Sequence, residues 1–197
     1  MAVETELLDR LRAGDEGAFA ALVERYHAPL LRFAMTMVPS RAVAEEVVQD
    51  TWLGVVRGID RFEGRSSLQT WLFRILANRA RTTGTRERRS TPVDLQAEPA
   101  VPPHRFTVDG QWSDPPAPWT DEVEDRLLAH ETAERVRIRI DALPENQRQV
   151  VVLRDVQGLS AAEACEVLGL TDANQRVLLH RGRSRVRSML EQDTGKA

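Results

Sequence analysis

A single cysteine, Cys165, stands among the 197 residues. One thiol excludes an internal disulfide framework and leaves no cysteine-based metal site to be built. Lysine is as scarce, with Lys196 the sole example, so the basic charge is almost wholly arginine. The histidines are few and scattered, at positions 27, 104, 130 and 180. No Gly-rich phosphate loop and no nucleophile in a recognisable setting appears. Neither an enzymatic centre nor a metal or cofactor site is therefore expected. Long apolar runs are missing too. Nothing approaches the ~18 residues of a membrane span, and the acidic N-terminus lacks the basic and apolar segments of a signal peptide. The expectation is a cytoplasmic chain without membrane insertion.

What is present is segregated charge. The formal net charge is −3. Yet residues 74–89 hold six arginines against Glu87, a net of +5, and residues 172–187 hold five against Asp172, a net of +4. Residues 1–50 hold nine acids against five arginines, a net of −4. Two basic segments on an acidic background suggest local contact with a polyanion. Arginine suits that work, because its planar fork matches phosphate oxygens and guanine edges.

The apolar pattern is helical throughout. After Asp15, a candidate N-cap, Phe19, Leu22, Val23, Tyr26, Leu30, Phe33 and Met37 recur at steps of three and four. Ser40 is placed to cap a second helix that turns Val43, Val47, Val48, Thr51, Val55 and Val56 inward, with Glu45, Glu46, Gln49 and Asp50 elsewhere. A loop over 58–67 leads to a third helix built on Leu68, Leu72, Ile75 and Leu76. From about 82 to 120 the periodicity fails, and seven of the ten prolines fall there, which predicts a linker. Phe106, Trp112 and Trp119 are more apolar than a tether needs, so they dock either on the chain itself or on a partner. The expected architecture is all-α. Two small helical domains, 1–86 and 121–197, flank a Pro-rich linker over 87–120.

The C-terminal domain carries the sharper signal. In "LSAAEACEVLGL", Ser160 and Glu163 have capping-box spacing, Leu159 can act as a staple, and Gly169 ends a helix of about two turns. Thr171 then caps a longer helix. Two helices in that arrangement form a helix-turn-helix. On the second, Leu178 or Leu179 with Gly182, Val186, Met189 and Leu190 make the inward stripe. Asn174, Gln175, Arg176, Val177, His180 and Arg181 are the candidates for reading duplex DNA, since side chains near such a helix's N-terminus reach base edges. The earlier stretch, "FEGRSSLQTWLFRILANRAR", mixes Phe62, Trp71 and Phe73 with polar and basic groups. Aromatics beside arginines suit single-stranded nucleic acid. The same rings would serve equally well as core.

Four stretches together resemble the extracytoplasmic-function (ECF) group of bacterial RNA polymerase sigma factors: "AEEVVQDTW", "FEGRSSLQTWLFRILANRAR", "LPENQRQVVVLRDVQGLSAAEACEVLGL" and "HRGRSRV". The resemblance implies an alternative sigma factor whose partners are core RNA polymerase, promoter DNA as duplex and melted strand, and an anti-sigma protein. It implies that Glu45, Glu46, Gln49 and Asp50 dock on the polymerase. It puts Phe62, Arg65, Ser66, Ser67, Trp71, Arg74, Asn78 and Arg79 near the displaced strand of the minus-ten element, and makes the last helix the minus-thirty-five reader. Here the chain departs from the family. Relatives commonly show a Gly-Thr-Val-basic-Ser-Arg run where this sequence has "ANQRVL", which leaves its base preference open. The competing reading is a two-domain helix-turn-helix regulator that acts without polymerase.

Overall fold

The computed structural model describes residues 2–88 and 126–194, and all regular structure within them is helical. The linker aromatics Phe106, Trp112 and Trp119 lie outside the described residues. No described helix is long and apolar enough to cross a membrane.

The N-terminal group comprises α1 (Ala2–Arg12), α2 (Glu16–Ala34), α3 (Arg41–Gly58) and α4 (Leu68–Arg88). Local chemistry sets their starts. Asp15 Oδ1 accepts from the Ala18 amide at 3.0 Å, and Ser40 Oγ accepts from the Val43 amide at 3.3 Å. Each satisfies one of the amides that a helix start leaves unpaired. Ser67 does the same for α4, accepting from the Thr70 amide at 3.1 Å. The helices close on a core of Leu22, Leu30, Phe33, Val47, Val48, Val55, Leu72, Phe73 and Leu76, all essentially free of solvent. Phe33 meets Phe73 edge-on, with centroids 5.5 Å apart. Val56 departs from the predicted inward stripe and is 55% exposed, while Ala44 takes a place in the core.

The C-terminal group comprises α5 (Arg126–Asp141), α6 (Glu145–Val151), α7 (Ala161–Leu168) and α8 (Asp172–Thr194). Pro144 stands at the N-cap of α6. A π-helical turn, Val152–Val156, carries α6 onward. The capping box at Ser160 and Glu163 is complete in both directions. Gly169 adopts φ 68°, a left-handed conformation that costs glycine little, and its amide donates to the Cys165 carbonyl. That turn lets α8 start with only three residues between it and the end of α7, and Thr171 Oγ1 accepts from the Asn174 amide at 3.3 Å.

The two groups pack against each other through α4 and α7, and their buried side chains form one continuous apolar cluster. At a second point Gln149 and Arg148 donate to the Thr36 carbonyl at 3.3 and 3.4 Å.

Candidate polymerase and nucleic-acid interfaces

On α3 the inward face is Ala44, Val47, Val48, Thr51 and Val55, and the outward face carries Glu45, Glu46, Gln49 and Asp50, all exposed. Glu45 is tied to Arg41 at 2.8 Å. Leu53, 52% exposed, continues the Glu46, Gln49 and Asp50 stripe at helical spacing. The result is a polar, mainly acidic strip with an apolar end, a combination suited to a basic protein surface. Leu53 was discoverable from its i+3 and i+4 spacing to Asp50 and Gln49, but an apolar residue reads first as core.

The 62–79 segment divides into two populations. Phe62 and Trp71 are 6% and 9% exposed, and their rings pack on one another with centroids 4.9 Å apart. The indole also faces Gly58, where an added Cβ would come within 3.3 Å of it. In this conformation both rings belong to the core and are not open to a base. Arg65, Asn78 and Arg79 are exposed, Arg65 beside Glu63 and Asn78 accepting from Arg81 at 2.9 Å. Ser66 and Ser67 are half-buried, and Arg74 pairs with Glu166 of α7.

The helix-turn-helix presents α8 outward. Asn174, Arg176, His180 and Arg181 are exposed, and Val177 lies in their midst at 46% exposure. Arg176 is held by Asp172, one turn earlier. Arg183 makes a two-pronged pair with Asp155, whose hydrogen bonds raise the guanidinium's pKa further. Arg139 grips Asp193 near the far end of α8 at 2.6 Å, so part of the arginine content is structural. Gln175 is different from its neighbours. It is 1% exposed, and neither polar atom of its amide meets a hydrogen-bonding partner among the described residues. It heads the inward stripe that continues through Leu179 and Gly182, and it is not available to a base edge here. The i+4 and i+7 spacing of those three positions was the overlooked signal. Cys165 is half-buried, and burial pushes its thiol pKa up, which suits a packing residue better than a reactive one.

Comparison with known proteins places these surfaces in context. Residues 22–90 match the family model for sigma-70 region 2, and residues 133–186 match that for sigma-70 region 4. The ECF RNA polymerase sigma-E factor of Haemophilus influenzae is 30% identical over 186 residues, covering 94% of both chains. That of Escherichia coli K12 is 30% identical over 181 residues, covering 91% of this chain and 90% of its own. Among solved structures, CnrH in complex with the cytosolic domain of CnrY aligns with a TM-score of 0.59 at 24% identity, over 96% of this chain and 98% of that one. The sigma factor RpoE of Bartonella quintana, solved with the anti-sigma factor NepR, aligns with a TM-score of 0.59 at 20% identity, over 88% and 96%. Both support the helical fold.

Proposed function

Because the chain belongs to the ECF group of RNA polymerase sigma factors, an alternative sigma factor that directs transcription initiation, we propose a division of that work among its surfaces. The outward face of α3, with Glu45, Glu46, Gln49, Asp50 and Leu53, docks on core polymerase. The exposed polar groups of the 62–79 segment, namely Arg65, Ser66, Ser67, Arg74, Asn78 and Arg79, meet the melted minus-ten strand. Asn174, Arg176, Val177, His180 and Arg181 read the minus-thirty-five duplex. Gln175 leaves the reading set and becomes a packing residue, as do Phe62 and Trp71 while the chain holds this conformation.

The observation that carries the reading is the order of the two sigma regions along a chain aligned nearly end to end with sigma-E factors. A ligand-sensing regulator would need the first domain for sensing, and that domain is the one matched to region 2. The protein acts as a regulatory, non-catalytic subunit beside polymerase in the cytoplasm. An anti-sigma protein is the partner that would restrain it, as NepR is solved with RpoE. Run-off transcription with core polymerase, with and without the chain, tests the reading. Specific transcripts should appear only when both are present. DNA binding to a palindromic site with no affinity for core polymerase would return the regulator reading.

A further inference from the structure

The loop between α3 and α4 is fastened from outside by a side chain that none of the surfaces above includes. Arg12, in the last turn of α1, donates from Nη2 to the Phe62 carbonyl at 2.6 Å, across 50 residues of sequence. Phe62 is thereby held at three points. Its amide donates to the Ile59 carbonyl at 3.1 Å, closing the 3-10 turn Ile59–Arg61, and its ring lies on Trp71. Arg12 takes the remaining main-chain group. The far end of the loop is fixed at Ser67, which caps α4, and at the buried Leu68. Only Glu63, Gly64, Arg65 and Ser66 stand between these anchors, the first three of them exposed. Gly64 turns this arch at φ 69°.

The anchor on the α1 side has a firm base. One oxygen of Asp15 accepts from Arg10 Nε at 2.8 Å, while the other caps α2. The Asp15 amide donates to the Arg10 carbonyl at 3.0 Å, and Leu11, between the two arginines, is buried. The end of α1 is thus locked to the start of α2, and Arg12 projects from that corner. A guanidinium on a main-chain carbonyl sets where the chain runs, whatever side chains follow. Arg65 pairs with Glu63 inside the arch, so the pair moves with it. We propose that Arg12 is a positioning residue for minus-ten recognition: by holding the Phe62 carbonyl it fixes the arch, and with it Arg65 and Ser66, where the melted strand is met. The fastening stands on the contacts above, and its effect on DNA rests on the assignment of the 62–79 segment.

The test uses the full chain carrying Arg12→Ala or Arg12→Lys, the lysine keeping a charged donor for one carbonyl. Position 12 is exposed on a helix, where alanine is well tolerated, so circular dichroism should not change. Hydrogen exchange read by NMR should show the Phe62 amide of Arg12→Ala exchanging about fivefold faster, the scale of one partly exposed charge-assisted hydrogen bond. Arg12→Lys should stay close to the wild type. Run-off transcription with core polymerase then compares promoters that differ by single bases. Arg12→Ala should flatten the activity ratio across minus-ten variants by a similar factor, and Arg12→Lys should restore it. The ratio across minus-thirty-five variants should not move. Wild-type exchange in Arg12→Ala overturns the fastening. A loss of activity that keeps both ratios makes Arg12 a stability residue and overturns its positioning role. Arg65→Ala, measured in parallel, reports on the loop's assignment by itself. If it flattens the minus-ten ratio and Arg12→Ala does not, the proposal alone falls. If neither does, the assignment of the segment falls and takes the proposal with it.

Discussion

Gly182 of α8 lies directly against Val151 of α6: a Cβ at position 182 would fall 2.6 Å from Val151 Cγ2 and 3.5 Å from the Gln147 carbonyl oxygen. The absent side chain is what brings the reading helix close to α6. Gly182→Ala gains up to about 1 kcal/mol of helix propensity. Overpacking a fitted interface costs about 1–3 kcal/mol, so the net expectation is destabilisation. Urea denaturation should show a lower midpoint, partly restored by adding Val151→Ala.

Gln175 should matter for stability and not for promoter choice. Burying an amide without partners costs about 1–3 kcal/mol. Gln175→Met keeps similar length and removes both polar atoms. The variant should be at least as stable as the wild type, with the same ranking of promoters. A changed ranking would return Gln175 to the reading face.

Arg176 is expected to read a base. A good bidentate arginine–guanine pair discriminates by about 1–3 kcal/mol, whereas a phosphate contact weakens all sequences alike. Arg176→Ala should flatten the ratio of activities between promoters that differ in the minus-thirty-five element. Arg185 lies farther along α8, and Arg185→Ala should lower every promoter together and reduce the salt dependence. An equal loss on all promoters for Arg176→Ala would make it a phosphate anchor.

The polymerase face on α3 can be removed without touching the core. Glu46→Ala with Gln49→Ala should weaken capture of core polymerase and leave circular dichroism unchanged, since both residues are exposed. Adding Leu53→Ala should deepen the loss. Full capture by the folded triple variant would reject this face.

Glu163 gives the protein a pH signature. Hydrogen bonds from the Ser160 amide, the Thr70 hydroxyl and the Ser160 and Ser67 side chains pull its carboxyl from an ordinary 4.5 down to about 2. A depressed folded-state pKa contributes stability that is present above the unfolded value and lost as pH falls through the folded one. The stability difference between the wild type and Glu163→Gln should thus be constant above about pH 5 and shrink toward pH 2. A difference that stays flat across that range would remove the carboxylate's special role.

The sequence by itself determined the features that act over three or four residues. Asp15, Ser40 and Ser160 cap their helices and Gly169 turns the chain into α8, because each needs only its own neighbours and its own φ. Helical class, the two-domain order and the helix-turn-helix followed from those signals and from apolar spacing. Tertiary structure decided which member of each mixed face goes inside. Gln175 turns in and Val177 out, although a hydropathy pattern would reverse them, because Gln175 lies on the line of Leu179 and Gly182 that packs toward α6. Phe62 and Trp71 become core through their contact with each other and with Gly58. The contact between α4 and α7 was the least legible of all. Glu163 meets Ser67 across 96 residues of sequence, and its capping-box spacing explained it completely while only one of its two oxygens had been placed. A carboxylate with a free lone pair finds its second partner in three dimensions, and no local pattern says which.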